Sequence, residues 1–312
     1  MTISRKIKII LFFTATIHTL LYVLFIVIIN KENELHIQFN NYKKSPINKI
    51  LFMGDSHVVR SLDVSMIDSS NSLAFYGENN MMNYFKLNFC LNNHLSIPEY
   101  LVLPCDNLTF SKGFNEFRTN KYFYYSLLSF KDVRFLNKNI FNAYYDFFKT
   151  KALPYIDWQY ALNKVNENRH KKANNRFSDK SIIEQHNDAR HVIQDELLIG
   201  DYKTSFYDEN ALLFLNKIID LCKKNKIKLI FVKFPQTKVF LDETKLISDS
   251  SFVKNRPSEK IILHESLPIL NFEYLYVNNP ELFFDSHHLN NIGKHHFTPI
   301  IKRSLDSLYK VY

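Results

Sequence analysis

The run at residues 9–29, IILFFTATIHTLLYVLFIVII, holds no charged side chain and follows directly on Arg5, Lys6 and Lys8. A helix rises about 1.5 Å per residue, so about 20 apolar residues cross a hydrocarbon core about 30 Å thick. A signal peptide has a shorter apolar stretch, about 7–15 residues, and ends in small residues. This run is longer and leaves through Asn30-Lys31-Glu32 with no such site. It predicts an uncleaved cytoplasmic stub and transmembrane anchor over residues 1–30. The cluster before the run is more basic than Lys31, Glu32 and Glu34 after it, so the N-terminus stays in the cytoplasm. Everything beyond about residue 31 is then extracytoplasmic. The chain crosses once.

The rest of the chain has the means to fold. Hydrophobic residues make up 46% and include 28 Phe and 18 Tyr, which excludes a disordered polymer. Three cysteines (Cys90, Cys105, Cys222) are too few and odd in number for a disulfide scaffold. They read as buried apolar residues, although outside the cytoplasm a Cys90–Cys105 bridge is open to them. The formal charge of +9 suits an anionic partner. The basic pairs Lys43/Lys44, Lys171/Lys172 and Lys223/Lys224 lack the interleaved aromatics of a nucleic-acid platform, so no nucleic acid is expected.

After a polar linker at residues 31–47, short apolar runs alternate with helix-like stretches. Residues 49–53, 72–76, 99–103 and 227–232 read as strands, with 274–277 as a fifth. Residues 58–70 and 80–91 read as helices. Asp208 is placed to cap a helix whose apolar positions Leu212, Leu215, Ile219 and Cys222 repeat near 3.6. Such alternation predicts an α/β domain over 48–312, a parallel sheet covered on both faces. Residues 112–205 break the rhythm and read as a helical insertion, aromatic first and polar later, with a mobile stretch near 169–180. The stretch 244–257 has turn chemistry.

Ligands of open parallel sheets bind beyond the carboxyl ends of the strands. Gly54-Asp55-Ser56 follows the first strand, Gly77 the second, and Asp106-Asn107 the third. A serine between strand and helix exposes its hydroxyl at the rim, which makes Ser56 a candidate nucleophile; the bland alternative is a helix cap. Near the other end stands Asp285-Ser-His-His288-Leu-Asn-Asn-Ile-Gly293. An Asp three residues before a His can fix the imidazole tautomer that leaves Nε2 free to take a proton from a serine. His287 stays open as the alternative base. Two metal schemes compete. Asp55-Ser-His57 has the Asp-x-His opening of metallophosphoesterases but lacks their later blocks. His287, His288, His295 and His296 form an H-H-x₆-H-H pattern suited to Zn²⁺. One catalytic histidine beside surface ones is the simpler account, so no metal and no cofactor are expected.

Gly54-Asp55-Ser56 early and Asp285-x-x-His288 late resemble the first and last sequence blocks of the SGNH (GDSL-like) hydrolase superfamily. The resemblance spans about 50–108 and 205–310. It implies a flavodoxin-like three-layer α/β/α domain with Ser56 as nucleophile, His288 as general base and Asp285 orienting it. It also implies an oxyanion hole from the N–H groups of Ser56 and Gly77 with an asparagine as third donor, either Asn107 or Asn79. The family's third block, G-x-N-D, is replaced here by Pro104-Cys105-Asp106-Asn107. The single anchor makes the chain most similar to membrane-anchored members: DltD-like proteins of teichoic acid D-alanylation and proteins that O-acetylate exported polysaccharides. That likeness implies a serine esterase or O-acyltransferase acting on an acylated cell-envelope glycan or similar polymer, working beside a multi-pass membrane acyltransferase. The alternative is a non-catalytic envelope component that binds the polymer or that partner.

Overall fold

A computed structural model describes residues 3–32, 34–45, 49–110, 121–136, 139–152, 176–194, 208–248 and 257–311. The helices, in chain order, are α1 (Ile3–Glu32), α2 (Glu34–Lys44), α3 (Ser56–Ser61), α4 (Asn80–Asn92), α5 (Lys121–Leu127), α6 (Phe130–Leu136), α7 (Ile140–Ala152), α8 (Ile182–Val192), α9 (Glu209–Lys224), α10 (Lys238–Ser248), α11 (Pro257–His264) and α12 (Asn291–Val311). The strands are β1 (Ile50–Phe52), β2 (Ser70–Ser72), β3 (Tyr100–Pro104), β4 (Lys228–Lys233) and β5 (Ile269–Asn271). Two compact units form, one from Met1–Asn41 with Asn120–Glu167 and one from Tyr42–Thr119 with Asn168–Tyr312.

In the first unit, α1 is long and apolar enough to cross a membrane, with mean hydropathy 2.3 within Ser4–Ile28. Its polar side chains look after themselves. The hydroxyls of Thr16 and Thr19 donate to the carbonyls of Phe12 and Ala15 one turn back, so neither carries an unmet bond to the helix surface. His36 and Phe39 set ring edges against Phe123 of α5, with centroids 5.1 and 5.6 Å away. The segment expected to be a mere linker thus holds a helix, α2.

The second unit carries a five-stranded, all-parallel sheet in the order β2-β1-β3-β4-β5. This is the doubly wound α/β arrangement. Its order reverses at β1, and in such sheets ligands bind beyond the carboxyl ends of the strands at that reversal. Side chains alternate along each strand, so one face of the sheet shows Phe52, Val102, Ile230 and Val232. These pack with Val58 and Leu62 near α3 and with Phe297, Ile301 and Leu305 of α12 in one buried cluster. Leu51, Leu101, Leu103 and Phe231 point the other way and are equally buried. There α4 and α9 lie together, with the rings of Phe85 and Phe214 5.5 Å apart. Burial on both faces explains why these strands read as continuous apolar runs rather than alternating ones.

Local chemistry shapes the connections. Gly54 sits at φ +134°, and a Cβ there would come 2.4 Å from Pro104 Cδ, so the ends of β1 and β3 close up only around a glycine. Asp208 caps α9 as expected, accepting from the N–H groups of Asn210 and Ala211.

Several expected elements differ. The helix read at 58–70 stops at Ser61, and a 3-10 turn (Val64–Met66) capped by Asp63 follows. The fifth strand is Ile269–Asn271 rather than 274–277. Asn271 Oδ1 accepts from the Glu273 N–H and turns the chain, and residues 272–279 continue in i→i+3 turns with Tyr274 exposed. The stretch read as turns at 244–257 begins inside α10; residues 249–256 lie outside the described residues. The insertion is helical where described, in α5 to α8, while 153–175 and 195–207 lie outside the described residues. So does most of the stretch expected to be mobile, 169–180. Its described end holds a 3-10 turn with Phe177 fully buried, whose N–H donates to Phe283 O.

Candidate active site

Ser56 opens α3 directly beyond the carboxyl end of β1. Asp55 caps that helix by accepting from the His57 N–H at 2.9 Å, which fixes where the serine side chain points. From the other end of the unit, the loop between Leu282 and α12 approaches the same point. Asp285 Oδ1 accepts from the N–H groups of both His287 (3.1 Å) and His288 (2.8 Å), an aspartate turn that sets the histidine backbone. Asn290 braces the loop from beneath. Its amide donates to the carbonyls of Glu281 and Phe283, and its oxygen caps α12 by accepting from Gly293 N–H. Thr237, just beyond β4, donates through its hydroxyl and N–H to Ser286 O. A short loop with this many anchors holds its side chains still.

The two ends meet. His288 Nε2 lies 2.8 Å from Ser56 Oγ, and His288 Nδ1 lies 2.9 and 3.1 Å from the two oxygens of Asp285. The hydroxyl, imidazole and carboxylate are therefore in series. The Asp285 carboxyl is held far below the usual carboxylate range: burial opposes ionisation, but His288, His287 and their hydrogen bonds outweigh it. An ionised Asp285 keeps the proton on Nδ1 and leaves the Nε2 lone pair facing the serine.

His287 does not take that place. Its Nδ1 is 3.3 Å from Ser286 Oγ, its ring stacks on Phe240, and burial together with the neighbouring His288 pushes its pKa well down. It is a neutral packing residue beside the series.

Beneath His288 lies a buried layer that sequence alone did not assign. The His57 ring is 4.9 Å from the His288 ring, 5.4 Å from that of His287 and 6.2 Å from Phe234. Its Nδ1 is 3.2 Å from Asp55 Oδ1 and 3.9 Å from Asp106 Oδ2. Burial opposes ionisation of Asp55, but the charge and hydrogen bonds of His57 hold its carboxyl low. Asp106, at the end of β3, fares differently. Burial, with Asp55 adding to it, raises its pKa to about 7, although His57 pulls the other way. Two carboxyl groups flank one imidazole, and the one with the weaker contact keeps its proton to near neutrality.

Of the other expected site residues, Gly77 lies in a turn at φ +71°, beyond β2. Asn79 is fully buried and caps α4 through Oδ1, which accepts from the Met82 N–H at 3.0 Å. The side chain of Asn107 lies outside the described residues. Arg60 of α3 stacks over the rings of Phe284 (4.4 Å) and Tyr76 (5.6 Å), tying the histidine loop to the segment after β2.

His57, His287 and His288 each offer one nitrogen within 4.8 Å of the others, which makes them the group among the described residues able to hold a metal ion. Taking one would draw His288 from its present bonds to Ser56 and Asp285. His295 and His296, the other half of the expected H-H-x₆-H-H pattern, are exposed on α12. The three cysteines are free and buried. Burial pushes Cys90 and Cys222 to about 12 and Cys105 well up, so none is a nucleophile at neutral pH.

No protein-family model matches the chain, and no curated protein matches it in sequence. Among solved structures it is similar to a Bacteroides fragilis protein described as a candidate acylhydrolase, with a TM-score of 0.42 and 11% identity. That likeness covers 88% of this chain and 97% of the other.

Proposed function

We propose that this chain is a membrane-anchored serine esterase or O-acyltransferase of SGNH type. Its α/β unit stands on the extracytoplasmic side and acts on an ester-linked acyl group of a cell-envelope glycan. The observation that carries the reading is the Ser56–His288–Asp285 series, with 2.8 and 2.9 Å between its members although Ser56 and His288 are 232 residues apart. Polar surface residues have no reason to converge this way across a sheet. Nucleophilic catalysis does.

In this mechanism Ser56 Oγ attacks the ester carbonyl while His288 Nε2 removes its proton. The carbonyl π electrons move to oxygen, and the resulting oxyanion is received by the N–H groups of Ser56 and Gly77, with Asn107 or Asn79 as third donor. Collapse expels the alcohol, which takes the proton from His288 and leaves Ser56 acylated. Water or a sugar hydroxyl, deprotonated by the same imidazole, then attacks the acyl-enzyme. Water gives hydrolysis and a sugar gives transfer. Asp285 stays ionised throughout and stabilises the imidazolium. The basic residues in the first turns of α1 (Arg5, Lys6, Lys8) support the cytoplasmic placement of the N-terminus, and a multi-pass acyltransferase in the same membrane is the natural acyl donor for the transfer version.

The test is hydrolysis of p-nitrophenyl acetate by the full chain in detergent. The expected outcome is nitrophenol release that saturates with ester concentration, with an initial burst if deacylation is the slower step. Release no faster than in the presence of heat-denatured protein would favour the alternative, a non-catalytic component that binds a polymer or a membrane partner.

A further inference from the structure

Helix α7 turns its larger rings outward. Ala143 and Thr150 are buried, and Phe147 between them meets the ring of Phe130 edge-on at 5.6 Å. Positions 143, 147 and 150 are spaced by four and three, so they form the inner face. On the opposite face, Phe141, Tyr144, Tyr145 and Phe148 are 79, 56, 65 and 59% exposed, with Tyr144 at the edge of that face stacking one side of its ring on Phe130 at 4.4 Å. Spacings of three, one and three place these four rings in one contiguous stripe. Exposed apolar residues scattered singly are ordinary; a continuous aromatic stripe marks a contact surface. A helix that hides Ala and Thr while showing four rings is not arranged for water.

The occupant is indicated by what shares the unit. Met1–Asn41 and Asn120–Glu167 form one compact body, so α7 belongs to the same body as the membrane-length helix α1. The borders of the stripe are polar: Asn142 and Lys149 on one side, Lys151 on the other, with both lysines in the last turn. A face of Phe and Tyr edged by lysine is the composition of a helix lying at the headgroup–acyl boundary. There aromatic rings take the apolar side and a basic border faces the headgroups; here Lys151 Nζ also donates to Ser126 O and lies over the Phe147 ring. The exposed large side chains of α1 include Ile10, Leu11, Phe12 and Leu20, with Tyr22 a single tyrosine among them, whereas half of the α7 stripe is Tyr.

We infer that α7 lies along the outer leaflet of the bilayer that α1 crosses, its Phe141–Tyr144–Tyr145–Phe148 stripe immersed at the headgroup–acyl boundary. This rests on α1 being a membrane anchor. With 13 residues, α7 covers about 20 Å of membrane surface. The body then has two attachments, one across the bilayer and one along it, and these restrict its tilt and rotation as a single anchor does not.

The chain has one tryptophan, Trp158, so Trp158→Phe gives a dark background. Into it go Tyr145→Trp or Phe148→Trp on the stripe, Asn142→Trp at the polar border, and Leu20→Trp in α1 as the membrane control. Each full-length variant is reconstituted into phosphatidylcholine–phosphatidylglycerol vesicles containing lipid brominated either near the carbonyl end or near the middle of the acyl chain. The expected result is strong loss of fluorescence at 145 and 148 with the shallow bromines, little loss at 142, and loss at 20 with the deep bromines. If Leu20→Trp is quenched but the two stripe positions are not, the stripe is not in lipid and the inference fails alone. That holds whether their emission is red, from water, or blue, from cover by a protein partner or second copy. If Leu20→Trp is also unquenched, the anchor fails and takes the inference with it.

Discussion

Asp285→Asn is expected to lower kcat for ester hydrolysis by about four orders of magnitude, the cost of the equivalent change in serine proteases, while leaving KM nearly unchanged. The geometry dictates both halves. Asp285 Oδ1 accepts the N–H groups of His287 and His288, and an asparagine oxygen in the same place accepts them equally well, so the loop keeps its shape. What changes is the group facing His288 Nδ1. An amide NH₂ can only donate there, which forces the Nδ1 lone pair toward it and moves the imidazole proton to Nε2. Nε2 then points a hydrogen at Ser56 Oγ and cannot take one from it. A loss smaller than tenfold in kcat would mean that Asp285 shapes the loop and nothing more.

The second large effect concerns stability. Asp106 has a carboxyl whose pKa is raised in the fold to about 7, chiefly by burial. A raised folded-state value means that the fold favours the protonated form. This contribution is fully present below the ordinary carboxylate pKa, is lost as pH climbs toward 7, and is constant above. Three pKa units correspond to about 4 kcal/mol as an upper bound. Asp55 and Asp285, both held low, act in the opposite direction as pH falls, so the wild-type melting curve alone does not isolate the effect. The difference between Asp106→Asn and wild type does. Thermal melts in detergent should show the variant gaining more at pH 8 than at pH 5, with most of the change between pH 4 and 7. A difference independent of pH would show that Asp106 is not the group that titrates.

How much of this was legible in the chain divides along a physical line. β1, β3 and β4 announce themselves because strands buried on both faces must be apolar throughout, and each runs into a polar turn at the sheet's rim. Ser56 and the Asp285–His288 pair were legible for a similar reason: a strand-to-helix turn exposes its serine, and an Asp three residues before a His closes a local turn on itself. Their meeting was not legible locally. It follows from the strand order, which brings the end of β1 beside β3 while Thr237, after β4, holds the histidine loop.

The misses came where tertiary context overrides local pattern. Tyr274–Val277 has strand composition, but Asn271 turns the chain before it, so β5 is the shorter and less apolar Ile269–Asn271. The buried layer of His57 and Asp106 was missed because a polar residue at a strand end looks the same in sequence whether it faces water or lies beneath the Ser56–His288 pair. Pro104-Cys105-Asp106 held a clue: Pro104, the last residue of a fully buried strand, packs against Gly54, and the two residues after it are left little room for solvent.

The account stands or falls on Ser56 being a nucleophile activated by His288, and intact-mass spectrometry after treatment with a serine-directed fluorophosphonate measures this directly. The predicted result is a single phosphonyl adduct that peptide mapping places on Ser56, absent in Ser56→Ala and formed far more slowly in His288→Gln. Wild-type protein that takes up no label, or Ser56→Ala protein labelled as fully as wild type, would contradict it.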